Sequence, residues 1–373
     1  FVEGHGMTLV GDDGTEYRDF LAGIGVCSLG HCHPVLVEAI QRQAERLLHV
    51  SNYYYIERRG ELAAILSKLA SGDMDGALMI ADAVRAGDEA AAVALGLPTE
   101  NDQVWKTFFA NSGAEANEGA MKLARLYAKR SGNGGNTIVA LRGSFHGRTL
   151  GTLAATGQDV FHRDYQPLPG GFLYAQPGEC EALERLAAEH PCAAILFEAV
   201  QGEGGVRPIG QEFASCLQEV CRKHDLLLMA DEVQLGNGRS GSLYGYMNYG
   251  LQPDVVSTAK GIGGGLPLGV TMFGERVADV FHPGDHGTTF GGNPVCCAGA
   301  VNILSRIDDR LLEGVRERSD YLRRTLQAAP GIRSVTGMGL MLGLEIDIPA
   351  REFAERALRE GVLVTTAKQK IRL

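Results

Sequence analysis

Residues 226–232, LLLMADE, and residues 254–260, DVVSTAK, are two short apolar runs that each end in a charged side chain. Apolar runs without polar alternation fit strands covered on both faces, as in a parallel sheet packed between helices. TIVAL (137–141), AAILFEAV (193–200) and GVTMFG (269–274) have the same form, and VWKTFFA (104–110) precedes them. Helical stretches lie between several of them, including NSGAEANEGAMKLARLYAKR (111–130) and residues 212–224. The alternation predicts an α/β large domain with a mostly parallel, doubly wound sheet.

Upstream, MTLV-GDDG-TEYRDF (7–20) reads as a hairpin, and 34–48 and 57–70 as helices. Residues 71–103 are rich in Ala and Asp, with Arg85 as their one basic residue, and predict an acidic surface helix, an insertion. Downstream, helices over 294–306 and 309–328 lead to a strand pair, SVTGMGLMLGLEI (334–346). Helix 350–360 and strand GVLVT (361–365) follow. These elements predict a smaller α/β domain. The expected division is 1–50 joining the small domain, 51–293 as the large domain, and 294–373 as a truncated C-terminal small domain. The abrupt start and stop predict native residues missing at both ends.

The 373 residues are 45% hydrophobic and 21% charged, an ordinary globular balance that excludes disorder, collagen and coiled coil. A net charge of −10 argues against a nucleic-acid partner. No stretch of 18 apolar residues predicts a membrane span, and FVEGHGMTLVGDDG has no leader character. The eight cysteines form no C-x-x-C pair and predict reduced thiols, a cytoplasmic location and no metal site. The 50 glycines cluster at 202–205, 236–245, 261–269 and 287–292, marking tight turns and close backbone approach to a ligand.

Ligands of open parallel sheets bind at the carboxyl ends of the strands. LLLMA ends in Asp231-Glu232, AAILF in Glu198, and DVVSTA in Lys260; TIVAL precedes Ser144-Phe145-His146-Gly147-Arg148. Lys260 alone reads equally as a snorkelling surface lysine. Following an apolar strand and preceding GIGGG, it is desolvated, with a lowered pKa and nucleophilic character toward carbonyls. Asp231 reads as a helix cap or as the carboxylate under a protonated heteroaromatic nitrogen. One β-α-β crossover separates the two. A lysine that forms an imine and an aspartate that holds a pyridinium nitrogen are the pair pyridoxal phosphate requires. Ser112 caps a helix whose first N–H groups can face a phosphate.

NSGAEANEGAMKLAR, SFHGRTLG, FEAVQGEGGV, MADEVQLGNGRSG, TAKGIGGGLPLG and HGTTFGGNP together resemble the class-III (ornithine/GABA-type) aminotransferases of PLP fold type I. FLAGIGVCSLGHCHP (20–34) and the terminal IRL fit as well, so the resemblance spans the chain outside 71–103. Within the class the chain is most similar to acetylornithine aminotransferases. The resemblance implies a homodimer and pyridoxal 5'-phosphate as cofactor. The implied reaction moves the terminal amine of N-acetylornithine to 2-oxoglutarate, giving N-acetylglutamate 5-semialdehyde and glutamate in arginine biosynthesis. Succinylornithine, ornithine, acetyl-lysine and GABA are the alternative donors. A non-catalytic PLP-binding protein would not need Lys260 and Asp231, and a nucleotide-binding module rests on the glycine turns alone.

Carried over by residue, the resemblance makes Lys260 the covalent anchor and proton shuttle and Asp231 the partner of the ring nitrogen. Gln234 meets the phenolic oxygen, Val233 and Phe145 sandwich the ring, and Ser112, Gly113 and Ala114 cradle the phosphate. Thr289 reaches that phosphate from the partner subunit. Arg148 and Thr288 contact the acylated donor, Glu203 and Arg372 form a gated pair, and Glu198 lines the pocket. Ornithine-acting members carry an aromatic residue near Ile24 and Trp where His146 stands, so both residues point to an acylated donor. The chain departs from the family pattern at Leu235, Asn237, Ser240 and Ala199, where Thr, a hydrophobic residue, Thr and Pro are usual.

Overall fold

The computed structural model describes residues 1–99 and 103–373. Seven strands form the main sheet: β4 (Lys106–Ala110), β5 (Thr137–Leu141), β6 (Phe172–Ala175), β7 (Cys192–Phe197), β8 (Leu227–Asp231), β9 (Val255–Thr258) and β10 (Gly269–Phe273). Their spatial order is β4-β10-β9-β8-β7-β5-β6. Every pairing is parallel except those of β10, which runs against β9 on one side and β4 on the other. β6, FLYA, is an edge strand too short and too half-exposed to stand out in the sequence.

Both faces of the sheet are covered, which explains the unbroken apolar runs. Leu228, Ala230, Val256 and Met272 pack into one core. Leu227, Met229, Val255 and Phe273 pack into a second with Ala120, Leu123 and Ala124 of α5 (Gly113–Arg130). The period of two along each strand sends alternate apolar residues to opposite sides.

Before the main sheet come β1 (Glu3–His5), β2 (Thr8–Val10), β3 (Glu16–Asp19), α1 (Pro34–Arg46) and α2 (Arg59–Ala70). Residues 71–103 do not make one surface helix. They form α3 (Met74–Ala86) and α4 (Glu89–Gly96), with 100–102 outside the described residues. Two of the acids are caps: Asp73 accepts from Gly76 N–H at 2.9 Å and Asp88 from Ala91 N–H at 3.0 Å. The opposite face, Ala77, Ile80, Ala81 and Val84, is buried in the core with α2. α6 (Cys180–Glu189) and α7 (Gln211–Lys223) pack side by side, and Cys180 and Cys216 are joined as a disulfide. The expectation of reduced thiols is thereby corrected for this pair, whose sequence separation of 36 hides a Cα distance of 6.1 Å. The other six cysteines are free.

After β10 come α8 (Pro294–Leu304), packed on α1, α2 and α3, and α9 (Asp309–Gln327). β11 (Ile332–Met338), β12 (Met341–Ile346), α10 (Ala350–Arg359), β13 (Val362–Leu363), β14 (Thr365–Ala367) and β15 (Lys370–Arg372) complete the chain. GVLVT is divided between two sheets. β13 pairs parallel with β3 in β1-β2-β3-β13, whereas β14 joins β11-β12-β15-β14. No helix of the described residues is long and apolar enough to cross a membrane, and no cluster among them could hold a metal ion.

Candidate active site

The carboxyl ends of β5, β7, β8 and β9 bring Phe145, Glu198, Asp231 and Lys260 to one edge of the sheet. β9 stops at Thr258, and Lys260 opens a single 3-10 turn, Lys260–Ile262, with φ +49°. A left-handed backbone costs a side chain about 1–2 kcal/mol, so the surroundings must over-determine it. They do. Gly263 and Gly264 N–H donate to Lys260 O at 2.9 and 3.1 Å. Asn237 Nδ2 donates to Thr258 Oγ1 at 2.9 Å and Ala259 O at 3.3 Å, and Ser28 Oγ donates to Gly261 O at 3.3 Å.

Burial drives the Lys260 ammonium down to about 8, helped by Arg372 and opposed by Asp231, Glu203 and Glu198. Those four charges and the amine therefore share one site. Glu198 is buried, and loss of water raises its carboxyl to about 7, although Phe145 N–H donates to its Oε2 at 3.0 Å. Asp231 is also buried. Its Oδ2 accepts from Asn117 Nδ2 and His146 Nδ1, each at 2.7 Å, and its Oδ1 accepts from Val233 N–H at 3.0 Å. The proton on His146 is assigned to Nδ1 because its neighbour there is an acceptor.

His146 is thus buried behind Asp231. Ile24 stays exposed, in a turn where Ala22, Gly23, Ile24 and Gly25 all have positive φ. Asn117 escaped the sequence reading because it sits mid-helix and reaches Asp231 across a sequence separation of 114.

The start of α5 is held tightly. Ser112 Oγ accepts from Glu115 N–H at 3.2 Å. A Cβ on Gly113 would stand 2.5 Å from Val233 Cγ1, and one on Gly269 would stand 2.1 Å from Ser112 O. Val233 therefore lies directly against the helix start that carries Ser112, Gly113 and Ala114. Arg148 is exposed, and its guanidinium lies over the rings of Phe161 at 4.5 Å and Phe145 at 5.4 Å. Arg372, almost fully buried, donates from Nη1 to Glu203 Oε1 at 2.7 Å. Gln234 Nε2 donates weakly to the same oxygen at 3.4 Å, and its Oε1 is buried without a partner.

Thr288 and Thr289 are not brought to Lys260 within this chain. Thr288 Oγ1 accepts from Asn111 Nδ2 at 3.1 Å, and both threonines line a cleft with Glu115, Glu118 and His286. Among the described residues no hydrogen bond joins either threonine to Lys260, Asp231 or Gln234.

The family model for aminotransferase class-III matches residues 1–373. The chain belongs to the class-III aminotransferases. An acetylornithine aminotransferase of Caldanaerobacter subterraneus subsp. tengcongensis is 41% identical, covering 99% of this chain and 87% of its own. The crystal structure of N-acetylornithine aminotransferase from Stenotrophomonas maltophilia matches with TM-score 0.78 and 31% identity over 99% of this chain and 87% of that one. An ornithine aminotransferase from Toxoplasma gondii, described with partial occupancy of PLP at its active site, matches with TM-score 0.83 and 28% identity. That match covers 100% of this chain and 83% of that one.

Class-III aminotransferases use pyridoxal 5'-phosphate. The residues present fit that group. Lys260 offers an amine that makes no ion pair among the described residues, Gln234 Oε1 is an orphaned acceptor, and Asp231 retains acceptor capacity. Two departures from the family pattern prove to be neighbours. A Cβ on Gly245 would meet Leu235 Cδ2 at 2.2 Å and Ala199 Cβ at 3.2 Å, so Leu235 and Ala199 flank the same glycine. Asn237, a third departure, is the clamp on the Lys260 turn.

Proposed function

We propose that this aminotransferase takes the terminal amine of N-acetylornithine and passes it to 2-oxoglutarate, giving N-acetylglutamate 5-semialdehyde and glutamate. The carrying observation is that Asp231 and Lys260 stand at the carboxyl ends of two adjacent parallel strands, with the Glu203–Arg372 pair joined to Gln234 beside them. The curated relatives named for N-acetylornithine support the choice of donor.

Bound pyridoxal 5'-phosphate supplies an electron sink that makes the carbon bearing the amine acidic. Lys260 Nζ would hold it covalently, and the same amine, once free, moves the proton off and onto that carbon. Asp231 would keep the ring nitrogen protonated. Ser112, Gly113 and Ala114 would present first-turn N–H groups to its phosphate, with Val233 and Phe145 against the ring and Gln234 on its phenolic oxygen.

Arg372, itself buried, has one carboxylate partner, the half-buried Glu203. With a donor whose reacting end carries no carboxylate, that pair stays closed. With 2-oxoglutarate, the carboxylate beside the keto group takes Arg372 from Glu203. Arg148 binds the carboxylate at the far end of either substrate. Glu198 lines the pocket, its carboxyl raised by burial.

We read Thr288 and Thr289 as serving the partner of a homodimer. In support, Tyr53, Tyr54 and Tyr55 are exposed next to Asn52, which donates to Thr288 O at 2.5 Å, and Phe290 and Leu48 are exposed nearby. Apolar surface of this kind is the usual mark of an interface. Thr289 of one chain then completes the phosphate site of the other, and Thr288 touches the other chain's donor.

A panel of amine donors with 2-oxoglutarate tests the assignment. N-acetylornithine should give the highest kcat/KM, ahead of succinylornithine, ornithine, acetyl-lysine and GABA. A higher value for any of those would replace the assigned donor. On the same panel, Arg148→Lys should raise KM for N-acetylornithine about tenfold, because a planar fork on a carboxylate becomes a point charge. A simple ω-amine without a carboxylate should keep its own kcat/KM when 2-oxoglutarate is saturating. Equal losses for both donors would move Arg148 to a role in the fold.

A further inference from the structure

The bonds beneath Asp231 assign a role to two side chains outside the cofactor and substrate contacts. We propose that Asn117, locked by Ser257, is a positioning residue that leaves Asp231 a single open acceptor position, on Oδ1. The proposal rests on the reading of Asp231 as the partner of the cofactor's ring nitrogen.

Asn117 and Ser257 are each 1% exposed. The Asn117 amide spends both N–H bonds, one on His146 O at 2.8 Å and one on Asp231 Oδ2 at 2.7 Å. Its carbonyl accepts from Ser257 Oγ at 2.5 Å. Turned over, the amide would aim its oxygen at a carbonyl and a carboxylate, two acceptors. Those two acceptors select the orientation in use, and the serine hydroxyl satisfies the amide oxygen and holds it in place. Its other acceptor, Ala230 O, is 3.5 Å away and competes poorly. Ser257 is placed by the sheet itself, because β8 and β9 register Asp231 opposite Ser257. α5, β8 and β9 are thus tied together at one carboxylate.

A carboxylate has about four lone-pair positions. Asn117 and His146 fill both on Oδ2, and Val233 N–H takes one on Oδ1. One position is left. A ring N–H arriving in the site finds one place to donate, and the plane of the carboxylate is already set. Loss of the serine leaves the amide oxygen buried without its donor and cuts the tie between α5 and β9, so Asn117 holds Oδ2 less firmly and the plane of the carboxylate is less well set.

The test uses the holoenzyme of Ser257→Ala, Ser257→Thr and Asn117→Leu, with Asp231→Asn in parallel. The readouts are kcat and KM separately, and the dissociation constant of pyridoxal 5'-phosphate by equilibrium dialysis. Ser257→Ala should lower kcat about tenfold and weaken cofactor binding about tenfold, the scale of one buried hydrogen bond, with KM within about twofold. Ser257→Thr keeps the hydroxyl and should restore both. Asn117→Leu should lose more on both readouts; if it does not fold, the serine pair decides. Wild-type kcat and cofactor affinity in Ser257→Ala, beside an impaired Asp231→Asn, would overturn the positioning role alone. Wild-type behaviour of Asp231→Asn would overturn the reading of Asp231 on which the role rests.

Discussion

Lys260→Ala is expected to abolish steady-state turnover and to remove the visible absorbance band of the covalently held cofactor. In the proposed reaction the lysine is both anchor and base. Loss of a general base costs roughly 10²–10⁴-fold on its own, and loss of the covalent link adds to that. The wild-type amine should also show its desolvation directly. A buried lysine lowered to about 8 is largely uncharged above that pH, whereas an ordinary one waits until beyond 10. The rate at which cofactor-free enzyme regains the band should therefore rise as pH increases through about 8. Mixed with chains carrying Thr289→Ala, the Lys260→Ala chain should recover part of its activity, because a hybrid dimer holds one intact site. Retention of both band and turnover by Lys260→Ala would remove Lys260 from its role. Verified hybrid dimers without activity would remove Thr289 from the shared site.

Asp231→Ala is expected to lower kcat by at least 10²–10³, the cost of removing one preorganised electrostatic partner from a transition state. The loss should fall on kcat more than on KM, since in the proposed role the carboxylate acts on charge that develops during proton removal and not on substrate docking. The variant also leaves two buried donors, Asn117 Nδ2 and His146 Nδ1, facing a void, so a fall in thermal stability is expected alongside. Steady-state kinetics on folded, cofactor-saturated protein separates the two effects. A kcat within a few-fold of wild type would sink the assignment.

Lys260, Asp231 and Glu198 could be read from sequence because each is the charged end of a short apolar run, and such runs report two-sided burial in a sheet. What a run cannot report is which distant side chain lies beneath it. Asn117 reads as a helix residue in NSGAEANEGAM, and its role appears only when α5 is laid across β8 and β9. His146 drew notice for its place in a motif, but its bond to Asp231 appears only once β5 and β8 lie in one sheet. α3 and α4 read as surface because their acids dominate the composition, although Asp73 and Asp88 are caps and Ile80 is core. The cysteine pair was invisible for a related reason, as packing of α6 on α7 creates the proximity.

The reversed strand β10 bears on how the chain reaches its native state. β4 is the earliest strand of the main sheet to be synthesised and stands at its edge, where β10 is its one partner in the sheet. Lys106–Ala110 must therefore wait for Gly269–Phe273, which emerges after every other strand of that sheet. While the intervening residues are made the KTFFA segment has no edge to pair with, and closing that long loop carries an entropic cost before any contact forms. A nascent chain with an unpaired, aromatic-bearing strand is open to pairing with another copy of itself. Ribosome-bound chains ending before β10 should consequently be the most aggregation-prone species in the biogenesis of this enzyme, and holdase chaperones would act on it most in that interval.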